Sequence, residues 1–185
     1  NFLKDWILKN KYFSQTVWAD DILSKRIFSL LTNLSFYFDT ADENFQKNFI
    51  NFVYAQVIYL FSKVKSNNIF CLKAKLLASI CLKSLNNSYK TLTSDLNRLL
   101  DEEFLGDGMY FTRSPSDHFL ILCSLIDIRN FLATAKIEIP KSLNIKIDEM
   151  ISVLKFFRIA DGQLAIFNDH RYIQSKKIEN VIKKS

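Results

Sequence analysis

Hydrophobic side chains recur at steps of three and four residues along most of this chain, which is the period of helices that bury one face. These segments alternate with short polar stretches that favour turns. In the first half, the predicted helices span residues 1–13, 17–34, 43–64, 69–85 and 89–104. The pattern therefore predicts a series of antiparallel helical hairpins with short connections.

Two further helices are predicted in the second half of the chain. Ser114 can cap a helix that has Pro115 at its first position, and the apolar stretch 119–128 predicts that this helix is buried. Pro140 opens the other helix at its first position. Residues 164–167 are the only predicted strand, and 176–185 form a basic, frayed end. The expected fold class is therefore all-α, with at most one short strand near the C-terminus.

Amino-acid composition narrows the range of possible folds and binding sites further. The chain of 185 residues has only three Gly and two Pro, so neither a glycine-rich phosphate-binding loop nor a sandwich of many short strands fits it. No apolar run approaches the roughly 20 residues of a membrane-spanning helix, so no membrane span is expected. The three cysteines lack metal-binding spacing and are expected to be buried free thiols. We expect no metal and no cofactor.

The net charge of +6 raises the question of an anionic partner. The lysines are scattered and form neither a basic stripe nor a known nucleic-acid motif, so nucleic acid is not the expected partner. An acidic polysaccharide is the other anion that this charge would suit.

The segment 105–118 is the most informative part of the sequence. Its Gly-Asp-Gly triplet at 106–108 permits a tight turn with positive φ. Arg113 lies beside the predicted N-terminus of the helix that begins at Pro115, and such a terminus suits a carboxylate. A capped helix after a turn, without any ligand, explains the same residues equally well.

Three segments in order resemble the heparinase II/III-like polysaccharide lyases. Asp107-Gly108 and Arg113-Ser114-Pro115 match the family's D-G-x-x-x-x-[RE]-[SN]-P motif, and His118 matches the histidine of its longer Tyr-His form. Ser-Asn-Asn-Ile-Phe at 66–70 is similar to the family's Gly-Asn-His/Asn segment. LKFFRIADGQLAIFN at 154–168 is similar to the R-F-F-R-x-x-D-G-x-L-A-L-F-N run. The resemblance covers about residues 18–168.

This resemblance implies an architecture and a setting. Residues 1–168 would form an incomplete α/α toroid, the helical half of a substrate cleft, and 169–185 would be a linker towards a C-terminal β-sandwich domain of the same protein. In the family, that sandwich supplies at least one further histidine to the cleft. Relatives suggest the cell envelope or periplasm, and an acidic polysaccharide as the partner.

The resemblance also implies a reaction, β-elimination in a uronic-acid polysaccharide. This chemistry needs a group that neutralises the carboxylate, a base, and an acid for the leaving oxygen. By the family match Asn67 is the neutralising residue, His118 a candidate base and Tyr110 a candidate phenolic acid. The residues expected to bind the substrate are Arg113, Asn68, Ser114 and Asp117.

Asp117 stands where the longer motif has its tyrosine, and Met109-Tyr110 stands for the second half of its Gly-Gly-His form, so this chain departs from the family pattern. That departure favours an alternative, a non-catalytic helical domain that binds an acidic glycan or packs on the sandwich domain. Asn67 together with His118 favours the lyase. A basic helical module for nucleic acid or an anionic membrane is a third, weaker interpretation.

Overall fold

The computed structural model describes residues 2–10, 12–39, 41–168 and 171–184. Residues 2 and 184 are described by their backbone alone. Contacts divide the chain into two compact units, Asn1–Leu92 and Thr93–Ser185, which we call unit 1 and unit 2. The helices are α1 Phe2–Lys9, α2 Asp20–Thr32, α3 Leu34–Phe38, α4 Glu43–Ser62, α5 Ile69–Cys81, α6 Tyr89–Glu102, α7 Pro115–Thr134, α8 Lys141–Phe156 and α9 Ser175–Lys184. A 3₁₀ helix, Lys83–Ser88, lies between α5 and α6.

Unit 1 is built around α2, which packs against α5 and α4. The apolar faces that the sequence pattern predicted meet in one core, which is rich in aromatic side chains. Its fully buried members include Leu23, Ile27, Phe49, Val57 and Leu60. Burial of such side chains contributes about 1.5–3 kcal/mol each, so this core is the main source of the unit's stability.

Side-chain caps define where α4 and α5 begin. Asp42 Oδ1 accepts a hydrogen bond from the Phe45 N–H at 2.8 Å, which starts α4. Asn68 Oδ1 accepts one from the Cys71 N–H at 3.0 Å, which starts α5. Each cap satisfies a backbone donor that the helix itself leaves free.

Unit 2 is built around α7, which packs against α8. Ser114 caps α7 as predicted, with its Oγ accepting from the Asp117 N–H at 3.4 Å and Pro115 at the start of the helix. Thr112 Oγ1 accepts a hydrogen bond from the Ser114 N–H at 3.4 Å. In a full capping box the side chain of Asp117 would accept this N–H instead. The prediction of burial is confirmed for most of the apolar stretch 119–128, although Leu120 is 40% exposed.

Two hairpins in unit 2 share one backbone design, 54 residues apart. We call residues 103–111, after α6, hairpin 1 and residues 157–165, after α8, hairpin 2. Hairpin 1 is joined by Leu105 N to Met109 O, Gly108 N to Leu105 O and Phe111 N to Glu103 O, and hairpin 2 by Ile159 N to Gln163 O, Gly162 N to Ile159 O and Ala165 N to Phe157 O, all at 2.9–3.0 Å. In each, the Asp of an Asp-Gly pair accepts from the residue two positions later, and the Gly has φ near +80°.

Several elements of the structure differ in detail from those that the sequence predicts. In the described residues, 164–167 form no strand, because Leu164 makes only an isolated bridge to Arg158. The predicted helix 69–85 ends at Cys81 where the backbone of Leu82 turns extended, and the 3₁₀ helix follows instead of a turn. Pro140 precedes the first turn of α8 as its N-cap rather than occupying it.

The C-terminal segment is more ordered than a frayed end. Helix α9 lies within the predicted linker 169–185, and its Ile178 is fully buried. Gln163 Nε2 donates to Ser175 Oγ at 2.6 Å, so hairpin 2 contacts the start of this helix. Residues 169 and 170, at the beginning of the predicted linker, lie outside the described residues.

Candidate functional site

Tyr110 lies at the end of hairpin 1, where it bridges Phe104. Its hydroxyl donates to Glu103 Oε2 at 3.0 Å, and the two residues are both half-buried. Burial raises the pKa of Tyr110, and the negative charge of Glu103 raises it further. The side chain is therefore a phenol that keeps its proton at neutral pH and holds it beside a carboxylate.

His118 is fully buried at the start of α7. Its Nδ1 lies 3.3 Å from the Tyr110 N–H, which donates to it, and its Nε2 lies 2.9 Å from the Met150 carbonyl oxygen. Nε2 therefore carries the proton, because only a donor can face a carbonyl. Burial lowers the pKa of His118, so the ring is neutral. Both ring nitrogens are used in connecting hairpin 1 to α7 and α8, which makes His118 a positioning residue in this arrangement.

Arg113 follows hairpin 1 in a left-handed backbone conformation with φ of 53°. Its Nη1 donates to Asp107 Oδ2 at 3.0 Å across the turn, and both side chains are about half exposed. The hydrogen bond from the Met109 N–H, with that from Arg113, lowers the pKa of Asp107. An exposed guanidinium held by one carboxylate still has free donors for an anion.

The N-terminus of α7 is covered rather than open. Ser114 is 1% exposed and Ser116 is 0% exposed, and their hydroxyl groups lie 3.0 Å apart. Ser116 Oγ also accepts from the Arg171 N–H at 3.0 Å. The Ser114 hydroxyl therefore serves as a helix cap, while the half-buried Asp117 carboxylate lies close enough to Tyr110 to help raise its pKa.

The two predicted asparagines lie in unit 1, in the loop between α4 and α5. Asn68 uses both ends of its amide, because Oδ1 caps α5 and Nδ2 donates to Asp21 Oδ1 at 2.8 Å. Asn67 is exposed, and its amide makes no hydrogen bond to any residue that the structure describes. Of the two, Asn67 is the residue that presents its side chain to a ligand.

A cavity of about 650 Å³ lies along the outer side of hairpin 1, against α6 and α8. Its charged lining residues are Asp101, Asp107, Lys146 and Glu149, and Lys146 Nζ pairs with Glu149 at 2.7 Å. Tyr110, Arg113 and His118 are not among the residues that line it. The described ranges hold no group of three or more His, Cys, Asp or Glu side chains that could bind a metal ion.

Unit 2 thus brings Tyr110, Arg113, Asp117 and His118 around hairpin 1, and unit 1 holds Asn67 and Asn68. Sequence reasoning missed Glu103, the partner of the Tyr110 hydroxyl. The sequence signal for Glu103 is a repeat: the Asp-Gly pair at 107–108 recurs 54 residues later at 161–162. Such a repeat predicts a hairpin at each pair, and the hairpin at the first pair places residue 103 beside residue 111. No helix in the described part of the chain is long and apolar enough to cross a membrane.

The paired helices, with most of the candidate site residues in the loops between them, define an all-α class of protein. Sequence comparison identifies its family. The sequence model of the family "Heparinase II/III N-terminus" matches residues 2–185. The chain belongs to this family. Its relationship to polysaccharide lyases is therefore established at the level of the domain.

Two solved structures are similar in fold. Heparinase III superposes with a TM-score of 0.79 and 18% identity, over 99% of this chain and 31% of its own length. A mutant of the heparan sulfate lyase HepC from Pedobacter heparinus gives a TM-score of 0.66 and 21% identity, over 98% of this chain and 34% of its own. These likenesses confirm the predicted all-α, toroid-type fold.

A curated relative, FtsZ-localized protein C of Caulobacter vibrioides (strain NA1000 / CB15N), is 36% identical over 69 residues. The match covers 37% of this chain and 12% of that protein. The chain therefore spans about a third or less of the length of the proteins it matches.

Proposed function

We propose that this chain is the helical domain of a protein that binds a uronic-acid polysaccharide and breaks it by β-elimination. The observation that carries the proposal is the phenol of Tyr110, held at 3.0 Å from the Glu103 carboxylate at the end of hairpin 1. A phenol with a raised pKa stays protonated until a strongly basic oxygen approaches it. The leaving oxygen of β-elimination is such an acceptor.

Each of the other predicted residues has a role in this proposal. Asn67 hydrogen-bonds the uronate carboxylate, which makes the neighbouring C–H acidic, and its unpartnered amide suits that task. Arg113 contributes a cation for a further acidic group of the polymer, and Asp117 borders the site through its effect on Tyr110. His118 and Asn68 hold their segments in place through their hydrogen bonds, and Ser114 does so as the cap of α7.

The base that removes the C–H proton lies outside this set, because both ring nitrogens of His118 are used. We propose that a C-terminal β-sandwich domain of the full-length protein supplies it, with 169–185 as the connection that begins after the helical domain of residues 1–168. This arrangement implies a location in the cell envelope or periplasm, where acidic polysaccharides are found.

The test incubates the full-length protein with a panel of uronate polymers. Cleavage is measured by the ultraviolet absorbance of the unsaturated uronide that β-elimination forms. Tyr110→Phe is expected to lower kcat by about 10²–10⁴-fold, since it removes the acid but keeps the ring. Tyr172→Phe is the matched control, because Tyr172 is 76% exposed and in the same unit; it should leave kcat unchanged. Absence of unsaturated uronide with every polymer would refute the lyase.

A second function, binding of an acidic glycan without cleavage, is favoured by one observation. Asp117 stands in place of the motif's tyrosine, and the neighbouring His118 is fully buried. Affinity for a uronate polymer without any uronide product, reduced by Asn67→Ala and Arg113→Ala, would support this function over the first.

A further inference from the structure

Helix α5 carries two buried lysines, Lys73 and Lys75, with exposed fractions of 8% and 7%. Lys73 has its ammonium group 4.1 Å from the centre of the Phe28 ring, over the ring face. Lys75 Nζ donates to the Val64 carbonyl oxygen at 3.1 Å. Lysines are almost never buried unless something compensates their charge, so each ammonium needs an explanation.

The Lys75 ammonium has no counter-ion among the residues that the structure describes. No Asp or Glu oxygen there lies within ion-pair distance of it, and its one hydrogen bond goes to a neutral carbonyl. An ammonium has three N–H donors, so two remain for another acceptor. A buried cation with one neutral partner is costly unless an anion pairs with it.

The Lys75 side chain is directed towards the loop that holds Asn67. Side chains on a helix lean towards its N-terminus, and Asn68, Cys71 and Lys75 follow one another at steps of three and four on one side of α5. The bond to Val64, three residues before Asn67, places the ammonium under this loop. Burial raises the pKa of the Cys71 thiol, and the nearby Lys75 charge opposes that rise.

The loop is held on both sides of Asn67. Ser66 Oγ accepts the Asn68 N–H at 3.4 Å, and Asn68 itself caps α5 and bonds Asp21. The Asn67 amide is therefore the one side chain of residues 66–68 that is free to turn towards a ligand. A fixed loop with one free amide is a preorganised donor, which loses little entropy on binding.

The surroundings are suited to an anion. Unit 1 has twelve Lys and Arg against six Asp and Glu, whereas unit 2 has thirteen of each, so the whole net charge of +6 belongs to unit 1. Lys63 and Lys65, in the same loop, are exposed. Of the two acids at the start of α2, Asp21 is occupied by Asn68, and Asp20 lies close enough to Cys71 to help raise the pKa of its thiol.

We propose that Lys75 and Asn67 form the two halves of one carboxylate site in unit 1. The Asn67 amide binds one oxygen of a uronate carboxylate and the Lys75 ammonium binds the other, which makes Lys75 a substrate-binding residue that selects uronate over neutral sugars. The inference rests on the proposed function for its ligand class, an acidic polysaccharide. It adds a residue that the family motifs at 66–70, 107–118 and 154–168 do not contain.

The experiment measures binding of D-glucuronate to the full-length protein by NMR titration, with D-glucose as the neutral control. Lys75→Met is expected to weaken glucuronate binding by about tenfold or more, because it removes the charge and keeps the length of the side chain. Lys73→Met is the matched control from the same helix and should stay within about twofold of the wild type. Lys75→Arg, which keeps the charge, should retain binding.

Two results would overturn the site: wild-type affinity in Lys75→Met, or no glucuronate binding by the wild type. If Lys75→Met does not fold, the ¹³Cε signal of Lys75 in the wild type decides, since it must shift with glucuronate and stay unchanged with glucose. Failure of the proposed lyase is distinguishable, because glucuronate binding that depends on Lys75 can occur without any unsaturated product. Conversely, lysis with unchanged kcat/KM in Lys75→Met would reject this site alone.

Discussion

The two hairpins of unit 2 have the same backbone but different side chains at equivalent positions. Hairpin 1 has Tyr110 where hairpin 2 has Leu164, and both residues form the bridge that closes the turn. In hairpin 1, His118 Nδ1 accepts a hydrogen bond from the Tyr110 N–H and so fixes the hairpin to α7. In hairpin 2, no described residue accepts a hydrogen bond from the Leu164 N–H. The hydrogen bonds of the turn are therefore a scaffold, and the chemistry depends on what is added to it.

The largest expected effect comes from removing the group that distinguishes hairpin 1. His118→Ala should lower the free energy of unfolding by about 3 kcal/mol, because it leaves a cavity and two backbone groups without partners. Chemical unfolding measures this, with Ile166→Ala as the control next to hairpin 2, where the side chain is 81% exposed. A loss no larger than that of the control would mean that His118 does not fix hairpin 1.

A smaller effect should separate the two glycines. Gly108 and Gly162 have φ of +79° and +81°, so a side chain is strained at both. A Cβ at Gly108 would lie 3.3 Å from Val153 Cγ2, whereas at Gly162 the nearest atom is the flexible Arg158 Nη2 at 3.4 Å. Gly108→Ala should therefore cost about 2 kcal/mol and Gly162→Ala about 1 kcal/mol in urea unfolding. Equal losses would contradict a more tightly packed hairpin 1.

The smallest effect is a dependence on pH. Burial holds the pKa of His118 below its ordinary value of 6.5, so below that pH the unfolded chain binds a proton that the folded chain does not. Stability should then fall as the pH drops from 6.5 towards the folded pKa, by at most about 1.4 kcal/mol per pH unit. His118→Gln should lack this contribution, and the difference between the two unfolding curves isolates it. Parallel curves would show that His118 is not the group that titrates.

Local features of the fold could be predicted from sequence. The Ser114 cap with Pro115 at the start of α7 depends on neighbouring residues alone, and the structure confirms it. The helical periodicity predicted the core faces for the same reason. The end of α5 at Cys81 could not be predicted, because the apolar pattern continues through Leu82 and Leu85, which pack against the core of unit 1 without belonging to α5.

The candidate site was less accessible to sequence reasoning. The hydrogen-bond partner of the buried His118 Nε2 is the Met150 carbonyl, which is 32 residues away on α8. Likewise, the sequence offers both Asn67 and Asn68 as site residues, and only the fold shows that Asn68 is occupied by Asp21, 47 residues earlier. Motif spacing identifies which residue types are present, whereas long-range hydrogen bonds decide which of them are free.

The exit of hairpin 1 is completed by residues made much later in synthesis. Asn168 Nδ2 donates to the Arg113 carbonyl at 3.2 Å, and the Arg171 N–H donates to Ser116, each across 55 positions of sequence. A ribosome that has just released hairpin 1 has not yet made either donor. Because domains fold as they emerge during synthesis, we expect the Arg113 carbonyl to acquire this donor only after hairpin 2 has been translated. The order of translation thus makes the segment that follows hairpin 2 a late contributor to the assembly of hairpin 1.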